Sequence, residues 1–355
     1  MVGTGDRIGR YTLGRRLGPN SGQGSVFLAA DDRDFQVALK VPHQQSQRFA
    51  RELEAARAVV SPYVARVWDF DLQSDPPFIA YEVVPGEPLD HVLNRRSLSV
   101  PELLSVFTDV ARGLAAIHAV TTAAIPMLSH ADLSLDNIMV TDRNAAVIID
   151  LGAARTGNDS SLSRDLFGKF GYFAPEQLLG GTGGPPGDMW QLGVCMVRAT
   201  TLHMPFGTGP ESTLRILEAA PNAADLPHEF ANVVAKCLTK DPVSRPAASE
   251  AVSLIAEAAT LYKPLLMPES PYIWEGHRTG QRVTALSFKL DGNGVVQRHG
   301  SIDDPPLANY RQWSVMGPEV AVGDFVAPSL SAGVFAPAGF RPRSVSSAMI
   351  LLGWG

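Results

Sequence analysis

Short apolar runs separated by turn residues dominate the first part of the chain. Alternating β-branched and aromatic residues predict five strands there, at 11–17, 25–30, 36–41, 64–70 and 78–84. Between the third and fourth runs the spacing changes, because Phe49, Leu53, Ala56 and Val60 fall on one helical face. This pattern predicts a helix over 47–60 within an otherwise β-rich segment.

Helical spacing prevails from Pro101 onward. Apolar residues recur at intervals of three and four between 103 and 117, and Pro101 stands where the first turn of a helix tolerates proline. Further helices are predicted at 187–199, 213–220, 229–238 and 249–262. A β-rich segment followed by a helical one predicts an α+β body of two lobes, about 8–85 and 86–262.

The pattern changes again after Tyr262. Residues 263–271 contain three prolines and predict a linker. Turn residues at 291–294 separate two alternating runs, 282–290 and 295–299, and this arrangement predicts a hairpin. Further short strands are predicted at 319–326, 333–336 and 349–352. We therefore expect a first domain over 1–262 and a small all-β C-terminal domain over 272–355.

Length, composition and charge limit the possible partners. The 355 residues exceed one typical domain, and 45% of them are hydrophobic, which is enough for a large core. The formal net charge is −6; 22 basic and 29 acidic residues precede residue 263, and 8 basic and 7 acidic residues follow. Neither part has the basic field that nucleic acid binding requires, so we expect no nucleic acid partner.

Cysteine use and hydropathy bear on the compartment. Cys195 and Cys237 are the two cysteines, and both lie in apolar helical patterns that predict buried thiols rather than a disulfide or a zinc site. The first eleven residues lack the apolar run of a signal peptide, and no stretch of about 18 apolar residues occurs. We expect a cytoplasmic protein with no membrane partner.

A glycine-rich turn and a lysine-bearing strand are the first candidates for chemistry. Residues 17–26 place three glycines between two predicted strands, where a backbone without Cβ atoms can approach phosphates. Lys40 ends the next strand, and Glu52 on the following helix is within reach of an ion pair with it. Each of these features is weak evidence when taken alone.

Two loops further along carry carboxylates. Asp132 and Asn137 lie in the segment His-Ala-Asp-Leu-Ser-Leu-Asp-Asn at 130–137, and Asp150 follows one short strand later. Asp132 can receive a hydroxyl proton, while Asn137 and Asp150 offer the hard oxygen ligands that Mg²⁺ prefers. This arrangement suits phosphoryl transfer.

Taken in order, these segments resemble the eukaryotic-like (Hanks-type) Ser/Thr protein kinases of bacteria. The resemblance continues in the Ala-Pro-Glu triplet at 174–176, in Asp188-Met189-Trp190 and in Arg245, and it covers about residues 8–260. It implies the two-lobed protein-kinase fold, with a β-rich N-lobe and a helical C-lobe, and Arg245 as the partner of Glu176. The C-terminal extension resembles no family that we can name.

The resemblance also implies roles for particular residues. Lys40 would hold the α- and β-phosphates of ATP, Glu52 would orient Lys40, and Asp132 would be the catalytic base. Asn137 and Asp150 would bind Mg²⁺ or, in its place, Mn²⁺. The nucleotide would also contact the glycine-rich turn, the hinge and the apolar walls of the cleft, at Leu17, Gly18, Gly22, Gly24, Val26, Ala38, Tyr81, Glu82, Val84 and Met139.

The function implied is transfer of the γ-phosphoryl group of Mg-ATP to serine or threonine hydroxyls of protein substrates. One alternative is an ATP-binding pseudokinase that acts as a regulatory scaffold. Another is a small-molecule phosphotransferase, against which the triplet at 174–176 and Arg245 argue. The C-terminal β domain could dock a protein partner through unpaired strand edges.

Four positions depart from the family pattern. Ser21 stands where the second glycine of the loop would fall, and Ala131 replaces the arginine that meets a phosphorylated activation loop. Ser134 replaces a lysine that touches the transferred phosphoryl group, while Lys169 replaces a threonine beside the catalytic aspartate. Lys169 would supply the missing cation, point into solvent, or pair with Asp132 and hold it inactive. These three alternatives remain open.

Overall fold

The computed structural model describes residues 2–21, 24–43, 47–122, 125–156, 171–223 and 225–262, together with four backbone strands between 272 and 316. Contacts divide the chain into two units, Met1–Ala259 and Thr260–Gly355. The first unit has a β-sheet N-lobe followed by a helical C-lobe, in agreement with the predicted α+β body. The domain boundaries drawn from the sequence remain a prediction.

The N-lobe is a six-stranded antiparallel sheet in the order β1-β2-β3-β4-β6-β5. Its strands are β1 (Arg7–Ile8), β2 (Tyr11–Ser21), β3 (Gly24–Ala30), β4 (Gln36–Pro42), β5 (Val67–Asp71) and β6 (Phe78–Tyr81). All five predicted strands are present, but β2 ends four residues later, β6 ends three residues earlier and β5 begins three residues later than expected. The late start of β5 has a tertiary cause, because Val64 forms a parallel bridge with Ile148 of the other lobe.

The two faces of this sheet have different partners. One face carries a closed cluster of buried apolar side chains that includes Tyr11, Phe27 and Leu39. Ala38 and Lys40 alternate with that cluster along β4 and face the other way, as does Tyr81 opposite Ala38 on β6. Helix α1 (Gln47–Ala58), the helix predicted over 47–60, packs into a second cluster of buried residues, which also contains most of the helical lobe's core.

All five helices predicted for the helical lobe are present with small shifts at their ends, and two short helices, Leu89–Leu93 and Pro175–Leu178, were not predicted. Its helices are α2 (Leu89–Leu93), α3 (Val100–His118), α4 (Pro175–Leu178), α5 (Gly184–Thr201), α6 (Glu211–Glu218), α7 (His228–Cys237) and α8 (Ala248–Leu261). A capping box of Ser99 and Glu102 begins α3, with a proline in its first turn. Helix α5 is buried along most of its length, and it includes Trp190 and Cys195. Both cysteines are buried thiols outside any disulfide, as predicted.

Short strands carry the loops of the cleft. These strands are β7 (Glu87–Pro88), β8 (Leu128–Ser129), β9 (Ile138–Val140), β10 (Ala146–Ile148) and β11 (Arg155–Thr156). Strand β9 pairs with both β10 and β7, and β8 pairs with β11. Ile148 donates its NH to the Tyr63 carbonyl and accepts from the Ala65 NH, each at 2.9 Å, so β10 is joined to the segment that leads into β5. The sequence pattern predicted one short strand between Asn137 and Asp150, where β9 and β10 lie, and it did not predict the others because none exceeds three residues.

Gly86, at the connection between the lobes, is held against backbone. Its φ is +142°, and a Cβ atom built there would lie 2.1 Å from the Val140 carbonyl oxygen. We expect Gly86→Ala to lower the free energy of unfolding by about 1–3 kcal/mol, because both the backbone angle and the contact oppose a side chain. Denaturant unfolding measures the loss.

Gly180→Ala is the matched control for Gly86→Ala. Gly180 also has a positive φ, +89°, but its Cβ would meet no atom within 4 Å. Gly180→Ala therefore measures the cost of the positive φ alone, without a steric contact. Equal losses for the two variants would contradict a special close approach at Gly86.

The second unit contains strands β12 (Tyr272–Arg278), β13 (Gln281–Leu290), β14 (Val296–His299) and β15 (Tyr310–Met316), in the order β14-β13-β12-β15. Strands β13 and β14 occupy the predicted hairpin positions, whereas β12 and β15 were not predicted. The turn at 291–294 and the strands predicted after 318 lie outside the described residues. Among the described helices, none is both long enough and apolar enough to span a bilayer.

Candidate active site

Lys40 joins three elements that are distant in sequence. Its Nζ lies 2.7 Å from Glu52 Oε1 on α1 and 2.7 Å from Asp150 Oδ1, 110 residues further along the chain. The side chains of Lys40 and Glu52 are 4% and 3% exposed, whereas that of Asp150 is 40% exposed. Glu54, the other acidic residue of α1, is exposed. The structure therefore forms the predicted Lys40–Glu52 pair and adds Asp150 to it.

The three charges alter one another's pKa values. Burial alone would lower the pKa of Lys40, but Asp150 and Glu52 outweigh it and raise that pKa above its ordinary value. Burial opposes the charged form of Asp150, yet Lys40 and the Gly152 NH hold the pKa of Asp150 well below its usual range. Burial raises the pKa of Glu52, and Lys40 and Tyr81 partly offset this. Lys40 and Asp150 therefore both stay charged at any pH between the ordinary pKa of an aspartate and the ordinary pKa of a lysine.

Asp132 stands in a loop held by buried polar groups of α5. The backbone NH groups of His130 and Ala131 each donate to a carboxylate oxygen of Asp188, both at 2.8 Å. Gln191 Oε1 accepts the Leu133 NH at 2.8 Å. Ala131 has a φ of +63°, so the loop adopts a backbone conformation that these bonds must hold in place.

Two histidines support this loop. His130 Nδ1 accepts the Asp132 NH at 3.2 Å, and its Nε2 lies 3.3 Å from the Ile149 carbonyl oxygen. His118 ends α3 and places Nε2 2.8 Å from Asp188 Oδ2. Neither ring is placed to act on a substrate directly, so both histidines serve the position of Asp132.

Asn137 lies beside Asp132. Its Nδ2 donates to the Asp132 carbonyl oxygen at 2.8 Å and lies 3.4 Å from Asp132 Oδ2. The Asn137 carbonyl oxygen in turn accepts the Ile149 NH at 2.9 Å, next to Asp150. These bonds bring the predicted base and the two predicted metal ligands to one end of the β9–β10 hairpin.

The donor set fits a divalent cation. Because Asn137 donates through its amide nitrogen, its amide oxygen is free to face a cation. Asp150 uses Oδ1 for Lys40 and the Gly152 NH, and its side chain is exposed enough for Oδ2 to bind a ligand. Carboxylate and amide oxygens are the ligands that Mg²⁺ and Mn²⁺ accept.

Most of the predicted nucleotide-contacting residues lie on the N-lobe sheet, on the segment that follows β6 and on β9. Leu17 and Val26 are paired across β2 and β3, and Met139 is paired with Pro88. Gly24 packs so closely on β4 that a Cβ would lie 2.6 Å from the Val41 carbonyl oxygen. Among the other residues of this set, Tyr81 is buried, and four are half-buried or exposed: Gly18, Ala38, Glu82 and Val84. Gly22 lies outside the described residues.

The segment after residue 170 is fastened by Arg245. The two terminal nitrogens of Arg245 each lie 2.8 Å from an oxygen of Glu176, and they also donate to the carbonyls of Pro186 and Lys240. The predicted Glu176–Arg245 pair is thus present, with an arginine side chain that is fully buried. Lys169, Ser160, Ser161 and Ser163 lie outside the described residues.

Two contacts in the site were not predicted. Gln191 holds both ends of the Ala131–Leu133 turn, and the only sequence signal was its position directly after Trp190. Tyr81 was assigned to the nucleotide, yet its hydroxyl donates to Glu52 Oε1 at 2.8 Å. No local pattern could have found that contact, because the partners lie 29 residues apart.

Comparisons with known proteins agree with this geometry. The chain is 34% identical over 266 residues to the probable serine/threonine-protein kinase PkwA of Thermomonospora curvata, which covers 72% of this chain and 34% of that protein. It is 31% identical to the serine/threonine-protein kinase AfsK of Streptomyces coelicolor over 255 residues, 68% of this chain and 31% of AfsK. The chain therefore spans about a third of the length of these relatives.

A third relative is closer in length. The serine/threonine-protein kinase PknA of Mycobacterium tuberculosis is 29% identical over 257 residues, which are 67% of this chain and 58% of that protein. The family model described as the protein kinase domain matches residues 11–254, more than half of the chain. Together with the lobes and the cleft described above, this match shows that the chain belongs to the protein kinase family.

Proposed function

We propose that this chain is an ATP-dependent protein serine/threonine kinase. The observation that carries the proposal is the contact of Lys40 with both Glu52 and Asp150, because it joins the N-lobe, α1 and the metal-binding loop around one cation. Kinases of this family need that arrangement for phosphoryl transfer. The relatives named as serine/threonine kinases support the same activity.

The nucleotide would lie between the lobes. The Glu82 NH already donates to the Arg66 carbonyl at 2.8 Å, so the hinge would offer the adenine the Glu82 carbonyl and the Val84 NH. Val26, Ala38 and Met139 would enclose the ring, and Leu17 with the glycines at 18, 22 and 24 would cover the phosphates. Lys40 has donor capacity beyond its two carboxylates and would hold the α- and β-phosphates.

Catalysis would centre on Asp132. Its carboxylate would accept the proton of the substrate hydroxyl while that oxygen bonds to the γ-phosphorus and the bond to ADP breaks. Asn137 would orient Asp132 and, with Asp150, would hold Mg²⁺ or Mn²⁺. When bound, this cation neutralises phosphate charge.

Phosphate incorporation from labelled ATP tests the proposal. The protein is incubated with Mg²⁺ and a generic protein substrate, and incorporation into the protein itself and the substrate is measured. ATP-dependent thermal stabilisation is recorded in parallel. Incorporation into serine and threonine supports the kinase, whereas stabilisation without transfer to any tested substrate would contradict it and favour a scaffold.

Lys169 is a proposed source of the cation that Ser134 lacks. Ser134 is buried in the loop that carries Asp132 and bears no charge, so a cation at the transferred group would come from another segment. The variant Lys169→Ala separates the three alternatives. It lowers turnover if Lys169 serves the transfer, leaves turnover unchanged if it faces solvent, and raises turnover if it restrains Asp132.

Activity is expected to be independent of phosphorylation in the activation loop. Ala131 provides no cation to meet a phosphate there, whereas the Lys40–Glu52 pair is already formed. The triple change Ser160→Ala, Ser161→Ala and Ser163→Ala should leave the transfer rate within about threefold of wild type. Steady-state rates on a protein substrate measure this, and a hundredfold loss would contradict the hypothesis.

The C-terminal segment is proposed as an all-β domain that docks a protein partner. Among the described strands of this segment, β14 and β15 lie at the edges of the sheet, where backbone groups can add a strand from another protein. Deletion of residues 264–355 should then change substrate choice while phosphate transfer to a generic substrate persists. Unchanged substrate choice would argue against docking.

A further inference from the structure

Tyr81 is the last residue of strand β6, and its hydroxyl reaches Glu52 on α1. The hydroxyl donates to Glu52 Oε1 at 2.8 Å, and the same oxygen accepts from Lys40 Nζ at 2.7 Å. Both donors belong to one sheet, since Ala38 pairs with Tyr81 and Lys40 with Ile79 across β4 and β6. Glu52 on α1 is therefore held to the sheet by two donors from neighbouring strands.

Burial makes this second donor important for Glu52. Tyr81 is 9% exposed and Glu52 is 4% exposed, so water cannot readily replace the hydroxyl. Burial also raises the pKa of Tyr81 well above its ordinary value, which keeps the hydroxyl a donor at physiological pH. A buried carboxylate that loses a hydrogen-bond donor is destabilised in its buried position. The packing of α1 against the sheet is then less stable.

Lys40 divides its donors between two carboxylates. Its bond to Asp150 is as short as its bond to Glu52, and bound phosphates would take a further share. The Tyr81 hydroxyl has one acceptor among the described residues, Glu52. Tyr81 can therefore keep Glu52 in position while Lys40 engages other groups.

We infer that Tyr81 is a positioning residue that holds helix α1 in the state that binds nucleotide, through its hydrogen bond to Glu52. The inference deepens the proposed kinase function and rests on it for the identity of the ligand. It assigns the hydroxyl to Glu52 rather than to the adenine. It also gives a reason for the pair to be assembled without a phosphorylated activation loop.

Tyr81→Phe removes the hydroxyl and retains the ring. If α1 then spends about nine-tenths of its time away from the sheet, the KM for ATP and the Kd of Mg-ATP both rise about tenfold. Saturating nucleotide restores the competent state, so kcat stays within about twofold of wild type. A variant that merely loses folded protein would show a lower apparent kcat with an unchanged KM.

Tyr11→Phe is the matched control. The Tyr11 hydroxyl also belongs to a buried tyrosine of the N-lobe sheet and donates to a carboxylate, Asp69 Oδ2 at 3.0 Å, on the sheet face away from Lys40. This variant should leave the KM for ATP within about twofold. A tenfold rise in both variants would show a general effect on the lobe and would overturn the inference.

A double-variant cycle tests the route of the effect. In the Glu52→Met background the Tyr81 hydroxyl has no carboxylate at position 52 to bind. Adding Tyr81→Phe should therefore change the Kd of Mg-ATP by less than about twofold. A tenfold change there would mean that Tyr81 acts on the nucleotide directly, and an unchanged Kd in Tyr81→Phe alone would equally overturn the inference. Because Kd is measured without turnover, the result stands even if the wild-type protein transfers no phosphate.

Discussion

Asp132→Asn should lower phosphoryl transfer by about 100- to 10,000-fold, the range that a general base contributes. The amide matches the carboxylate in shape but does not accept the hydroxyl proton. Asn137 bonds mainly to the Asp132 backbone carbonyl, at 2.8 Å, so the loop should keep its conformation. Labelled phosphate incorporation measures the rate, and thermal stabilisation by ATP should remain as large as in the wild-type protein.

Asp142→Asn is the control for this change. Asp142 is an exposed carboxylate in the turn between β9 and β10, and the same substitution there removes a charge without touching the cleft. Its transfer rate should stay within about twofold of wild type, as expected for a surface position. Transfer that survives Asp132→Asn undiminished would remove Asp132 from the role of base, whatever the control does.

Arg245→Ala should lower the free energy of unfolding by about 3–5 kcal/mol, because it leaves the Glu176 carboxylate without the buried guanidinium that neutralises it. Arg245 binds both oxygens of Glu176 and also caps the carbonyls of Thr239, Pro186 and Lys240. Its guanidinium further lies 5.0 Å from the centre of the Trp190 ring. Denaturant unfolding of the full chain measures the loss.

Two comparison variants show whether geometry or charge carries this effect. Arg245→Lys keeps the charge but loses the planar fork, so it should recover only part of the lost free energy. Arg7→Ala removes a salt bridge of 2.7 Å to Asp32 whose side chains are 55% and 67% exposed, and it should cost less than about 1 kcal/mol. Equal losses for Arg7→Ala and Arg245→Ala would contradict the importance of burial.

Local pattern was sufficient for the main elements of the kinase lobes. Helix α3 has both periodic apolar residues and a capping box, and β3 and β4 are alternating runs bounded by turns, so short-range signals determine where they lie. The start of β5 was less predictable. It depends on a bridge from Val64 to Ile148 in the other lobe, and no local signal reports such a bridge.

The candidate site divides in the same way. Motif order alone singled out Lys40, Glu52, Asp132, Asn137 and Asp150, because phosphoryl transfer needs those residue types and they stand in the family's order. Their spacing could not show that Lys40 bonds Glu52 and Asp150 together, since this requires two lobes to meet across 110 residues. That contact is a property of packing.

The same reason explains Tyr81 and Gln191. A tyrosine at the end of a strand and a glutamine in a buried helix have no distinctive neighbours in sequence, yet folding places one on Glu52 and the other on the turn that carries Asp132. Residue types and their order determine which chemistry is available to the chain. Only the tertiary structure decides which buried donors hold that chemistry in place, because hydrogen bonds between distant segments form when the core brings them together.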